Sequence, residues 1–161
     1  DKVRKALFDI LSDVEGLSFL ELFAGSGAVG LEAASQGAAK VVFVKKDLRC
    51  IDILKKNLRG ILPANYSLLP LDVFKAIEKL DKDKAEFDIV FLDPPYYKDM
   101  AKKTLKMLST YDIVAPNGFI VIQHFKKDNL PVNIGKLARF RQAIYGDTRL
   151  SFYQKVNPVS Q

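Results

Sequence analysis

Apolar runs of strand length alternate five times with stretches of helical periodicity in this 161-residue chain. That rhythm constrains the fold more than any single motif, because repeated strand, crossover and strand close into a parallel sheet covered by helices. Val3, Ala6, Leu7, Ile10 and Leu11 recur at helical spacing and predict an opening helix over residues 2–12. Ser18–Phe23 reads as a short buried strand, Ala24-Gly25-Ser26-Gly27 as a turn, and Ala28–Ser35 as a helix closed near Gly37. Val41–Val44 is a second strand; Asp47 caps a helix to about Arg59, with Leu48, Ile51 and Leu58 inward and Pro63 beyond its end. A strand over Tyr66–Leu71 and a helix over Val73–Leu80 follow. Phe87–Leu92 is then a strand stopped by Pro94-Pro95, and Lys98–Ser109 a helix. A turn at Pro116-Asn117-Gly118 precedes the strand Phe119–His124. Phe140–Tyr145 and Thr148–Lys155 are strand-like and joined by Gly146-Asp147, a two-residue hairpin signal. The prediction is a doubly wound α/β sheet of seven strands, mostly parallel, that ends in an antiparallel hairpin and a frayed tail over Asn157–Gln161.

This length suits one domain. Hydrophobic residues at 48% and charged residues at 27% remove the compositional case for disorder, collagen-like repetition or a disulfide scaffold. The apolar runs fall far short of the roughly 20 residues a membrane-spanning helix needs. With no visible export signal and one cysteine, Cys50, the expected compartment is the reducing cytoplasm. The net charge is +6 and unevenly spread. From Gln123 onward Lys126, Lys127, Lys136, Arg139, Arg141, Arg149 and Lys155 face only Asp128 and Asp147. Such a field favours a polyanionic partner, although solvated surface lysines explain it equally well.

In open parallel sheets ligands bind beyond the carboxyl ends of the strands. Glu21–Gly27, Lys45–Asp47, Asp72, Asp93–Tyr96 and Gln123–His124 all stand at such ends. The glycines of Glu21-Leu22-Phe23-Ala24-Gly25-Ser26-Gly27 let the backbone turn tightly beside a nucleotide-sized ligand. Gly25, Gly27 and Gly30 also fit G-x-G-x-x-G, with Asp47 about where a ribose-binding acid belongs. Asp93-Pro94-Pro95-Tyr96 carries more information. Two prolines stiffen the turn and remove two amide donors, which leaves carbonyl acceptors beside a carboxylate. Such a site accepts hydrogen bonds from an amino group on a planar ring, with Tyr96 as a stacking face. Hydrogen bonds from both amine protons to Asp93 and the Pro94 carbonyl drive the nitrogen toward tetrahedral geometry as charge develops. A methyl sulfonium supplies the electrophile. No metal is expected, since one histidine and one cysteine make a poor ligand set. His124 is read as structural or surface rather than catalytic, and Cys50 as a buried small hydrophobe.

These residues resemble class I S-adenosylmethionine-dependent methyltransferases, and specifically the bacterial family that methylates the N2 of a guanine in 16S ribosomal RNA. The likeness covers nearly the whole chain: Asp1-Lys2-Val3-Arg4-Lys5-Ala6-Leu7-Phe8, Glu21–Gly27 with Gly30-Leu31-Glu32-Ala33, Phe87–Tyr96 and Tyr145-Gly146-Asp147-Thr148. It implies a Rossmann-like sheet and a cofactor, S-adenosylmethionine, that leaves as S-adenosylhomocysteine. Phe23, Ala24, Gly25, Ser26 and Gly27 would wrap its methionine portion with Glu21 near the ammonium. Asp47 and Leu48 would lie near the ribose, and Asp72 and Val73 by the adenine. Asp93, Pro94, Pro95 and Tyr96 would hold the base, and Lys98, Lys102 and Lys103 could meet RNA phosphates. The implied partner is 16S RNA or the assembling small subunit, bound by a cytoplasmic RNA-binding monomer. Relatives carry a segment upstream of the position where this sequence begins, so a short N-terminal stretch is expected to precede Asp1. One departure stands out: the family's acid at the end of the second strand is Lys45 here, followed by Lys46. Gln123 also stands where relatives often have an acid. An adenine N6 methyltransferase shares the Asp-Pro-Pro-Tyr run, and Lys45 also leaves room for a degenerate nucleic-acid-binding module. A dinucleotide oxidoreductase would leave Asp-Pro-Pro-Tyr without a purpose.

Overall fold

A computed structural model describes residues 1–59 and 65–156. The expected Pro63 stop and the tail over Asn157–Gln161 lie outside the described residues, as does the side chain of Leu48. The chain runs α1 (Lys2–Leu11), β1 (Ser18–Leu22), α2 (Ala28–Ser35), β2 (Lys40–Val44), α3 (Leu48–Arg59), β3 (Tyr66–Leu69) and α4 (Val73–Lys82). It continues through β4 (Phe87–Leu92), α5 (Met100–Thr110), β5 (Val114–Phe125), β6 (Asn133–Ile134), β7 (Leu137–Tyr145) and β8 (Thr148–Lys155). The strands form one sheet in the order β3-β2-β1-β4-β5-β8-β7-β6. The first five are parallel; β8, β7 and β6 join antiparallel. Strand order reverses between β1 and β4, the place where such sheets open a ligand crevice.

Alternation along the strands divides the core in two. Leu20, Leu22, Val42, Val90 and Ile120 face α4 and α5, where they pack on Val73, Ile77, Leu105 and Leu108. Phe19, Val41, Phe43, Ile89 and Phe91 face α1, α2 and α3, where they meet Leu7, Phe8, Ala33 and Leu54. A parallel strand buried on both faces reads as a continuous apolar run, as Val41–Val44 of β2 and Ile89–Leu92 of β4 do.

Several sequence expectations change. Among the described residues the sheet has eight strands, because Asn133–Ile134 pairs with Leu137 and Ala138 through a short hairpin at Gly135. Two residues leave no periodic signal. The expected turn Pro116-Asn117-Gly118 lies inside β5 as an irregularity: Phe87 pairs with Val114 and Ile89 with Phe119, so β5 advances further than β4. Finally, α5 cannot start at Lys98, since Lys98 and Asp99 have φ of 57 and 53, and the helix begins at Met100. Cys50 is half-buried rather than fully enclosed.

Candidate active site

The candidate residues cluster at and beyond the carboxyl ends of the strands. β1 ends at Leu22, and Phe23 then enters the left-handed region (φ 57) and turns the chain away from the sheet. Gly27 (φ 81) starts α2. Glu21 sits one residue before the strand end, on the face toward α2, with Phe43 and Phe91 as its lateral neighbours. It occupies a core position and is only 5% exposed. Its Oε1 accepts a hydrogen bond from the Gly30 amide at 2.9 Å. Gly30 makes this approach possible, because a Cβ there would meet the Phe43 ring and lie 3.0 Å from the Glu21 carboxylate. Burial raises the Glu21 pKa to about 7, opposed by the Gly30 hydrogen bond, reinforced by Asp93 and opposed in smaller measure by Lys45.

Asp93 follows β4, the strand next to β1. Its side chain reaches solvent, yet the protein packed around it removes enough water to raise its pKa to about 6. Pro94 is buried behind it. A hollow of about 340 Å³ brings together Glu21, Phe23, Gly25–Gly27, Asp93 and Gln123, closed on one side by Asp1 and Arg4 at the start of α1. A larger cleft of about 510 Å³ adjoins it, lined by Phe23, Ala24, Gly25, Lys45–Asp47, Leu71–Phe74, Pro95, Tyr97 and Met100. Phe23 and Gly25 belong to both.

Asp72 and Asp47 reach the larger cleft as helix caps. Asp72 accepts from the Lys75 amide at 3.0 Å, and Asp47 from the Arg49 amide at 3.0 Å. The Arg49 amide holds the Asp47 carboxyl below its ordinary value. Tyr96 stands apart from both hollows, 62% exposed, with its ring 5.9 Å from Phe125. It borders a shallow groove with Lys98 and Lys102; Lys103 lies elsewhere, beside Phe74. His124 is enclosed, its Nε2 2.8 Å from the Ser151 hydroxyl and its Nδ1 3.1 Å from the Phe125 carbonyl. It lines neither hollow. Among the described residues no group of three His, Cys, Asp or Glu side chains could hold a metal ion, and no helix is long and apolar enough to cross a membrane.

Sequence reasoning missed Leu71, Phe74, Tyr97, Met100, Asp1 and Arg4. Tyr97 adjoins the Asp-Pro-Pro-Tyr run and Phe74 adjoins Val73, so proximity to a strand end was their signal. Asp1 and Arg4 reach the site only through the placement of α1, which no local pattern encodes.

The sequence pattern of a family described as conserved hypothetical protein 95 matches residues 1–154. YlbH of Bacillus subtilis (strain 168) is 34% identical over 157 residues, covering 96% of this chain and 85% of that protein. Ribosomal RNA small subunit methyltransferase D of Buchnera aphidicola subsp. Acyrthosiphon pisum (strain APS) is 32% identical, covering 82% and 69%. The solved structure of yhhF from Escherichia coli superposes with a TM-score of 0.87 at 27% identity, over 98% of this chain and 88% of that one.

Proposed function

The chain belongs to the conserved hypothetical protein 95 family, and from that premise we propose that it transfers a methyl group from S-adenosylmethionine to ribosomal RNA, at the N2 amine of a guanine in 16S RNA. The observation that carries this reading is the meeting of Glu21 and Asp93 in one hollow beside the glycine turn. The methyltransferase name of the Buchnera relative supports the ribosomal target.

The residues present suit this cofactor. Two hollows that join at Phe23 and Gly25 match a ligand with an adenosine at one end and an amino acid at the other. The apolar Leu71, Val73 and Phe74 suit the adenine, and the Glu21 carboxyl suits an ammonium group. When bound, S-adenosylmethionine supplies an electrophilic methyl group on a sulfonium.

The remaining chemistry belongs to the protein. Asp93 and the Pro94 carbonyl accept hydrogen bonds from the two N–H groups of the target amine and oppose delocalisation of its lone pair into the ring. The stiff Pro94-Pro95 turn holds those acceptors without reorganisation. Tyr96 offers a ring at the rim for the extruded base, with Lys98 and Lys102 near enough to meet phosphates. Asp93, with a pKa of about 6, is basic enough to take the proton that the methylated amine releases. The setting is the assembling small subunit in the cytoplasm.

Incubation with methyl-labelled S-adenosylmethionine and 16S RNA or small-subunit particles, followed by digestion to nucleosides, tests the reading. N2-methylguanosine, lost in Asp93→Ala, is the expected result. N6-methyladenosine would replace the guanine target with adenine, and full transfer by Asp93→Ala would remove the role given to that carboxylate.

A further inference from the structure

Lys45 stands immediately beyond β2, in the wall of the larger cleft. Its Nζ donates to the carbonyls of Ala24 and Gly25, each at 2.8 Å. The Ala24 amide in turn donates to the Val44 carbonyl at 3.0 Å. The glycine turn is therefore tied to β2 through both its N–H and its C=O groups. At the corresponding place in dinucleotide-binding sheets an acid accepts hydrogen bonds from ribose hydroxyls. An ammonium has no acceptor to offer.

The position of this charge matters because Gly25 and Phe23 are the residues common to both hollows. A ligand with its ring in one hollow and its amino acid in the other passes its middle over that peptide. In S-adenosylmethionine the middle is the sulfur. We propose that Lys45 is a positioning residue that braces the glycine turn and sets the charge preference of the site, favouring the neutral thioether of S-adenosylhomocysteine over the sulfonium of S-adenosylmethionine. This rests on the cofactor reading given above.

The two ligands share adenine, ribose, amine and carboxylate, so those contacts cancel when their affinities are divided. What remains is the sulfonium charge, drawn by Glu21 and Asp93 and repelled by Lys45. One unit charge in the wall of the same cleft, at an effective dielectric of about 20 and with partial salt screening, changes that ratio roughly tenfold.

Titration calorimetry with each ligand on the wild type, Lys45→Met, Lys45→Glu and Lys45→Arg reads the ratio Kd(S-adenosylmethionine)/Kd(S-adenosylhomocysteine). The ratio should fall roughly tenfold in Lys45→Met, fall further in Lys45→Glu and hold in Lys45→Arg. A purely structural brace would weaken both ligands together. An unchanged ratio in the Met and Glu variants, with both ligands still bound, overturns the charge preference. Failure of the wild type to bind either ligand overturns the cofactor reading, and this inference with it.

Discussion

Replacing Glu21 with Gln should make the ligand-free protein more stable above neutral pH. Glu21 lies between Phe43 and Phe91 in the strand register, and burial raises its pKa from 4.5 to about 7. Between those values the folded chain holds a proton that the unfolded chain has released, so stability falls as pH rises through the window. Each unit of displacement is worth about 1.4 kcal/mol, which makes the full loss about 3 kcal/mol at pH 8, to order of magnitude. Glu21→Gln keeps an oxygen for the Gly30 amide and has no charge to bury. Urea melts of wild type and variant, taken without ligand from pH 4.5 to 8.5, should therefore coincide at the acidic end and separate toward the basic end. The variant's advantage there corresponds to a melting temperature higher by roughly 6–12 °C. Asp93 titrates in both proteins, so subtraction removes most of its share. Parallel curves, offset equally at every pH, would refute the argument from burial. The same variant should lose affinity for S-adenosylmethionine, whose positive groups Glu21 is placed to meet.

Gly30→Ala should destabilise the fold by about 1–3 kcal/mol, because the added methyl enters the space of the Phe43 ring, and thermal melting would show it. For methyl transfer, kcat/KM should drop as pH falls through about 6, where Asp93 gains a proton and loses an acceptor; a profile flat from pH 5 to 8 would exclude that role. His124→Ala should cost about 1–3 kcal/mol of stability by removing the imidazole partner of the buried Ser151 hydroxyl, while calorimetry finds affinity for S-adenosylhomocysteine within twofold of wild type.

The parallel half of the sheet was legible because each strand there is an apolar run bounded by turn residues, and the spans of α2 and β4 match their sequence reading residue for residue. The antiparallel end was legible only as a hairpin. The two-residue β6 is too short for any period, and Pro116–Gly118 carries the signature of a turn although the ladder absorbs it as an irregularity. In the site, Glu21 and Asp93 were legible because carboxylates at the ends of apolar strands break the local pattern. Their shared hollow was not, since it depends on β1 pairing with a strand far downstream. Nor did Lys45 announce its two carbonyl partners, because a side chain that reaches back over a turn leaves no trace in spacing.

The neighbouring placement of β1 and β4 also governs how this chain can be made. The Ser18–Asp88 hydrogen bonds that start this pair close a separation of 70 residues, and contacts that distant form slowly because the intervening chain must first surrender its freedom. A nascent chain that has emerged only through β3 would present one flank of β1 unpaired, lined with backbone donors and acceptors open to any neighbouring nascent chain. Truncation before Phe87 should therefore yield insoluble material rather than a smaller folded protein.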